Sequence, residues 1–231
     1  MTYRIGIDVG GTFTDFLLLD SEGNAGVYKT STTPEDPAIG LLNGLGEMAE
    51  DRRLPLAEFV QQVEAIVHGT TVATNAVLTG NGAVTGLLTT RGFRDALPMR
   101  RGIREAQYDN RSTAPDPLVP RYRRLTARER VDYCGNVRMA LDEADVLAAA
   151  AQLRDEGVSA VALCFMHAHA NPSHEARAAE ILRRELPEVY LSVSSELLPQ
   201  IRFYDRTSTT VLNAYVGPLV QRYLQSLTAR L

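Results

Sequence analysis

Along the first thirty residues β-rich runs alternate with turn residues: Tyr3–Val9 is β-rich, Gly10-Gly11 breaks it, and Phe13–Leu19 resumes. A third β-rich run, Ala25 to Lys29, follows the turn-forming Ser21-Glu22-Gly23-Asn24. Three such runs joined by short turns predict an antiparallel meander. The pattern then changes. After the helix-start residues Pro34 and Asp36-Pro37, the apolar residues Ile39, Leu42, Leu45 and Met48 recur every three positions, which predicts a helix laying that stripe on a sheet. Pro55 separates it from a shorter helical piece. Val63–Val67 reads as a strand, Val72–Leu78 as a helix closed by Gly80-Asn81-Gly82, and Ala83–Thr89 as another strand.

Arg91 to Arg130 has a different texture: it holds 11 arginines against 5 acids and carries Pro98, Pro115, Pro117 and Pro120. It reads as a loop-rich insertion with edge strands near Leu125–Val131, either solvated or in contact with a partner subunit or an anionic ligand. Beyond it helix and strand alternate. Asp142 and Asp145 form an N-cap pair for a helix carrying Val146, Leu147, Ala150 and Leu153 inward and ending at Gly157. Val158–Phe165 is a buried strand, Pro172 starts a helix through Leu186, and Val189–Val193 is a strand. Helices between successive strands imply parallel crossovers and an α/β sheet. Tyr204 to Ala229 reads as one long helix with a possible kink at Pro218.

Composition narrows the chemistry. The 231 residues carry 24 basic and 28 acidic side chains, a net charge of −4, and 45% are hydrophobic, which excludes a disordered tail and a generally basic nucleic-acid protein. Lys29 is the only lysine, and its surroundings, Val27-Tyr28-Lys29-Thr30, are not a G-x-x-x-x-G-K-[ST] loop, so P-loop ATPase chemistry is excluded. Cys134 and Cys164 form neither a zinc knuckle nor a disulfide framework and predict a reduced compartment. With no secretory signal and no segment approaching the ~20 apolar residues that span a bilayer, the expectation is a soluble, cytoplasmic protein.

The sharpest motif is Asp8-Val9-Gly10-Gly11-Thr12-Phe13-Thr14-Asp15, at the tip of the first predicted hairpin. Paired glycines let the backbone approach a ligand and present N–H groups to anionic oxygens, threonine hydroxyls add neutral donors, and an aspartate on the preceding strand can hold Mg²⁺ through water. By itself a Gly-Gly pair is also an ordinary hairpin turn. His68-Gly69-Thr70-Thr71 ends a strand and opens a helix, where free N–H groups favour an anion; it is equally a plain turn with Thr70 or Thr71 as N-cap. Asn75, four residues after Thr71, shares its helical face. His167, His169 and His174 raise a metal site, but no recognisable ligand spacing completes it. His174-Glu175 reads as a helix start and Cys164 as a small buried hydrophobe. Arg202 and Arg206 offer either a bidentate anion clamp or surface ion pairing with Asp205 and Glu196.

The string Asp8 to Asp15 resembles the first phosphate loop of the actin, sugar kinase and Hsp70 superfamily of ATPases. More narrowly the chain resembles the hydantoinase A/5-oxoprolinase family. Three further segments match in order: Val67 to Ala76, Asn171-Pro172-Ser173-His174-Glu175, and Arg206 to Val216. It departs from the family's Arg-Glu-Tyr-Glu-Arg at Arg202-Phe203-Tyr204-Asp205-Arg206. The resemblance implies an α/β fold of the actin-like (ribonuclease H-like) ATPase kind: a first lobe over residues 1–195 and the start of the following domain over 196–231. It implies ATP and Mg²⁺ as cofactors. Asp8 would hold the metal, Gly10, Gly11, Thr12 and Thr14 would cradle phosphates, and Asp15 would fix the loop or orient a water. His68, Thr70, Thr71 and Asn75 would contact phosphate or substrate. The implied reaction passes a γ-phosphoryl group to the carbonyl oxygen of a hydantoin or oxoproline ring, which water then opens, in an oligomer with a hydantoinase B-type subunit or domain. A ketone carboxylase subunit is the alternative within the family. Family members are several hundred residues longer and carry a second glycine-rich loop, so a non-catalytic assembly or binding fragment is the alternative outside it.

Overall fold

The computed structural model describes residues 1–33, 35–102, 108–111 and 113–230, so the helix-start residue Pro34 and part of the arginine-rich insertion lie outside the described residues. Packing divides the chain differently from the expected boundary at 195/196. One compact unit comprises Met1–Asn81 with Leu219–Leu231, the other Gly82–Pro218.

In the first unit, β1 (Tyr3–Val9), β2 (Phe13–Asp20) and β3 (Ala25–Ser31) form the expected antiparallel meander, and β4 (Val63–Thr70) joins β1 in parallel, giving the order β3-β2-β1-β4. Strand alternation puts Tyr3, Ile5, Ile7, Val9, Phe16 and Leu18 on one face, where they form a core with α1 (Pro37–Asp51) and α2 (Leu56–Gln61). Asp36 caps α1, accepting from the Ala38 N–H, with Pro37 opening the first turn. The stripe α1 buries is Ala38, Leu41, Leu45, Met48 and Ala49 with Gly40 and Gly44, whereas Ile39 is exposed and Leu42 half-buried. This shifts the expected stripe. Gly44 allows the shift, because a Cβ there would lie 2.2 Å from Phe16 Cζ. Helix α3 (Val72–Thr79) follows β4 and ends at Gly80 in the left-handed region.

In the second unit, β5 (Thr85–Thr90), α4 (Ala96–Met99), β6 (Arg124–Ala127), β7 (Arg130–Val131), β8 (Val137–Met139), α5 (Glu143–Asp155), β9 (Ala160–Cys164), α6 (Ser173–Glu185), β10 (Tyr190–Val193), α7 (Ser194–Leu197) and α8 (Phe203–Arg230) follow in order. The main sheet is all parallel, ordered β10-β9-β5-β6. Both faces are covered. Val161, Leu163 and Phe165 pack with Val146, Ala150 and Leu153 of α5 and Ala178 and Leu182 of α6, while Ala160, Ala162 and Cys164 pack with Val211 and Ala214 of α8. This explains the unbroken apolar run of β9. Leu147, expected inward, is exposed, and Ala149 takes its place. Helix α8 contains Pro218, and the division between the compact units falls directly after it.

Candidate functional site

Gly10 N–H donates to Phe13 O (3.0 Å) and closes the β1–β2 hairpin, leaving Gly11 and Thr12 at its tip. The N–H groups of these two residues make no hydrogen bond among the described residues, so the tip presents free donors. An added Cβ at Gly11 would stand 2.7 Å from Asn75 Nδ2, and one at Gly10 would stand 3.0 Å from Phe13 O. Only glycine fits both places without moving a neighbour. Thr12 is exposed, and its carbonyl accepts from Thr32 N at 2.9 Å. Thr14, expected among the phosphate ligands, does not reach the tip. Strand alternation turns it into the core, where its hydroxyl pairs with Thr32 Oγ1 at 3.0 Å. Thr32 in turn donates to Gly10 O at 2.9 Å, so Thr14 must be the donor in the pair.

The turn from β4 into α3 is tied to the same loop. Thr71 N and Thr70 Oγ1 both donate to Val9 O, at 3.1 and 3.3 Å, and Thr70 Oγ1 accepts from Val72 N at 3.2 Å. Thr71 holds the N-cap position without a side-chain cap bond. One turn on, Asn75 N donates to Thr71 O (2.8 Å) and Nδ2 to Thr71 Oγ1 (3.4 Å), which brings the carboxamide beside Gly11.

Gly10, Gly11 and Asn75 line a cavity of about 560 Å³ together with Asp36, Arg222 and Tyr223, all within the first unit. None of the last three stands out in the sequence as a site residue: Asp36 reads as a helix start, and Arg222 and Tyr223 lie far along the chain from the loop. Asp36 accepts from Ser226 Oγ at 2.7 Å, the main reason its carboxyl sits below the usual range, and from Arg230 at 3.3 Å. Arg222 is exposed and makes no hydrogen bond or ion pair among the described residues. His68 Nε2 and the Tyr223 hydroxyl share a short hydrogen bond. Burial lowers the His68 pKa, with Asp8 opposing it, and raises that of Tyr223 to about 12, so both are neutral at pH 7.

The structure separates the predicted residues into two groups. Asp8 and Asp15 stand opposite each other in the β1–β2 register on the face away from the core, beside Gly6, Leu17, Val27, Val67 and Gly69. They do not line the cavity that holds Gly10 and Gly11. Asp15 is paired with Lys29 Nζ at 2.9 Å, whereas Asp8 makes no hydrogen bond or ion pair among the described residues. No group of three or more histidine, cysteine or acidic side chains is poised for a metal among the described residues. A single exposed carboxylate suits Mg²⁺, which keeps most of its waters and leans on phosphate oxygens.

The other constellations resolve into structure. Arg206 is buried, donating to Ser194 Oγ (3.1 Å), Gln200 O (3.0 Å) and Phe165 O (2.5 Å), so it is neither an anion clamp with the exposed Arg202 nor a surface pair. Asp205 instead pairs with Arg101 at 2.5 Å. His174 bonds Glu129 at 2.8 Å and His169 faces Arg206 at 3.0 Å, which accounts for two of the three histidines without a metal. Glu175 does begin α6, but buried, accepting from Phe165 N, Ser194 Oγ and Ser195 N at 2.6 to 2.8 Å. Cys164 is buried as expected.

No helix among the described residues is long and apolar enough to cross a membrane. The family model described as the hydantoinase/oxoprolinase N-terminal region matches residues 4–186. The chain is 42% identical over 229 residues to caprolactamase subunit alpha of Pseudomonas jessenii, covering 98% of this chain and 33% of that one. It is 38% identical to the acetophenone carboxylase gamma subunit of Aromatoleum aromaticum, covering 94% and 31%. The crystal structure of the ATP-dependent caprolactamase from P. jessenii superposes with a TM-score of 0.90 at 41% identity, covering 98% of this chain and 33% of that one. A nucleotide-free acetone carboxylase structure, from work on ATP-dependent acetone carboxylation, gives 0.89 at 27%, covering 99% and 34%. The chain thus spans about a third of the length of these two curated relatives.

Proposed function

Because the chain belongs to the hydantoinase/oxoprolinase N-terminal family, we propose that its first unit is the phosphate-binding side of an actin-like ATP site. The enzyme it serves is an ATP-dependent hydrolase that opens a cyclic amide. The observation that carries this is the β1–β2 tip: two free N–H groups and a glycine held against Asn75, lining a cavity of about 560 Å³. Such a nest of N–H donors binds phosphate oxygens with no reorganisation. ATP, when bound, would supply a phosphoryl group that, placed on the amide carbonyl oxygen, makes the carbonyl carbon electrophilic enough for water to attack and the ring C–N bond to break.

The chain's own residues then have separate tasks. Gly11 and Thr12 N–H groups hold phosphate oxygens, and the Thr12 hydroxyl and Asn75 carboxamide add neutral donors. Arg222, without a partner among the described residues, supplies positive charge to the same cavity. Thr14, Thr32, Thr70 and Thr71 hold the loop and its neighbour turn in place. Asp8 would hold Mg²⁺ from the neighbouring sheet face, and Asp15, paired with Lys29, fixes the strand beside it. His68, neutral and bonded to Tyr223, positions that ring on the cavity wall. A hydantoinase B-type partner, a cyclic-amide substrate and assembly into an oligomer belong to the same reading.

Titrating Mg·ATP into the ¹⁵N-labelled chain tests it. The Gly10, Gly11, Thr12 and Asn75 resonances are expected to shift together and saturate, and Gly11→Ala is expected to weaken binding about tenfold or more by displacing Asn75. No shift at these amides at millimolar nucleotide overturns the assignment. A second reading, activation of a ketone for carboxylation, is favoured by the likeness to acetone carboxylase. Lactam-stimulated against ketone-stimulated ADP release in the complete enzyme separates the two.

A further inference from the structure

The parallel sheet of the second unit has the order β10-β9-β5-β6. From β5 the chain moves to β6 on one side, then crosses to β9 on the other and continues outward to β10. The connections therefore diverge between β5 and β9, and the crevice outside the carboxyl ends of such a strand pair is where open α/β sheets bind ligands. A cavity of about 750 Å³ lies there, lined by Arg91, Phe93, Arg94 and Met99, which follow β5, by Met166, which follows β9, and by Phe203. Its size is that of a small-molecule site.

The cavity is rich in positive charge. Arg91 and Arg94 line it, and Asp95 is the one acid among its described lining residues. Asp95 is already shared among Arg94 (3.8 Å), Arg121 (3.4 Å) and Arg124 (3.4 Å). Arg124 is 5% exposed, and its Nε and Nη1 atoms are buried without a hydrogen-bond partner among the described residues. Asp95 is thus drawn toward Arg121 and Arg124, which lie outside the cavity lining, and the guanidinium groups of Arg91 and Arg94 keep donors for an anion within it. The remaining wall is apolar: Phe93 and Phe203 meet edge to face at 5.4 Å, and Met99 lies beside them. Backbone strain gathers at the same place. Arg100 has φ +51°, and His167 (φ +59°) and Arg202 (φ +86°) adjoin the lining residues Met166 and Phe203.

We propose that this cavity is a second ligand site, independent of the phosphate loop, that binds a small organic carboxylate. Arg91 and Arg94 hold the carboxylate in their planar forks and Phe93, Met99 and Phe203 receive its apolar body.

The test is a titration of benzoate, acetate and inorganic phosphate into the whole chain, read by ¹⁵N shifts and calorimetry. Benzoate is expected to saturate, to shift the Gly92, Phe93 and Met166 amides, and to bind more tightly than acetate or phosphate. Arg94→Gln is expected to weaken it about tenfold or more, with Arg91→Gln as the second variant should the first not fold. Arg4→Gln, whose pairing with Glu64 lies in the other unit, is expected to bind benzoate as the parent does. Absence of saturation, phosphate binding as tightly as benzoate, or unchanged benzoate affinity in the folded Arg91 or Arg94 variant each overturns the proposal.

Discussion

At the scale of single residues, the threonines around the β1–β2 tip divide into the exposed Thr12 and the buried pair Thr14 and Thr32 that holds the tip in place. Thr14 donates to Thr32, and Thr32 donates to Gly10 O, a relay that fixes the carbonyl at the base of the tip. Thr32→Val removes the acceptor for a buried hydroxyl and the donor for the carbonyl, and is expected to cost about 1–3 kcal/mol of stability. Thr12, exposed and with a hydroxyl that has no partner among the described residues, contributes nothing comparable to the fold. Thr12→Val is expected to leave stability within about 0.5 kcal/mol while weakening Mg·ATP binding. Urea unfolding of both variants beside the nucleotide titration separates the roles, and equal destabilisation by the two would refute the division. The motif made Gly10, Gly11 and Thr12 legible in the sequence, because a tip needs those residue types at consecutive positions. Thr32 was not legible. It lies just past the end of β3, eighteen residues along the chain from Thr14, and nothing local to it signals the contact.

At the scale of elements, strand and helix order was readable almost throughout, because β-rich runs, turn residues and period-three patterns are local. The face a helix buries was less so. In α1 the apolar count favoured Ile39 and Leu42, yet the buried face runs through Gly40 and Gly44, which contribute close approach instead of hydrophobicity. Gly44 lets α1 close on Phe16 of β2, where an added methyl would meet the ring at 2.2 Å. Gly46, two residues on, has nothing within 4 Å of its absent Cβ. Gly44→Ala is therefore expected to destabilise by about 1–3 kcal/mol through overpacking. Gly46→Ala is expected to stabilise by about 0.5–1 kcal/mol through helix propensity. Opposite shifts in the midpoint of denaturant unfolding check this, and shifts of the same sign would mean that α1 does not approach the sheet through Gly44. Leu147 is the same lesson in α5: alanine at position 149 buries its small side chain, and a scale that ranks leucine higher picks the wrong face.

At the scale of the molecule, packing and chain order part company in α8. Val211, Ala214 and Tyr215 are buried in the second unit, while Tyr223 bonds His68 and Leu227 packs on the core of the first. A local pattern shows one helix there, and only long-range contacts reveal that its two ends serve different cores. The two sheets also differ in how deeply they lie. Every residue of β9 from Ala160 to Cys164 is fully buried, with β5 and β10 on either side, whereas β4 is an edge strand whose Val67 is 73% exposed. Opening a strand costs in proportion to the apolar surface and hydrogen bonds it must release. Amides of β5 and β9 are therefore expected to exchange with solvent most slowly in the chain, and those of β4 about 100-fold faster or more. Exchange followed by mass spectrometry on peptides spanning 63–70 and 158–165 decides it. Equal protection of the two peptides would show that the chain opens as a single cooperative body, and the assignment of separate cores would fail.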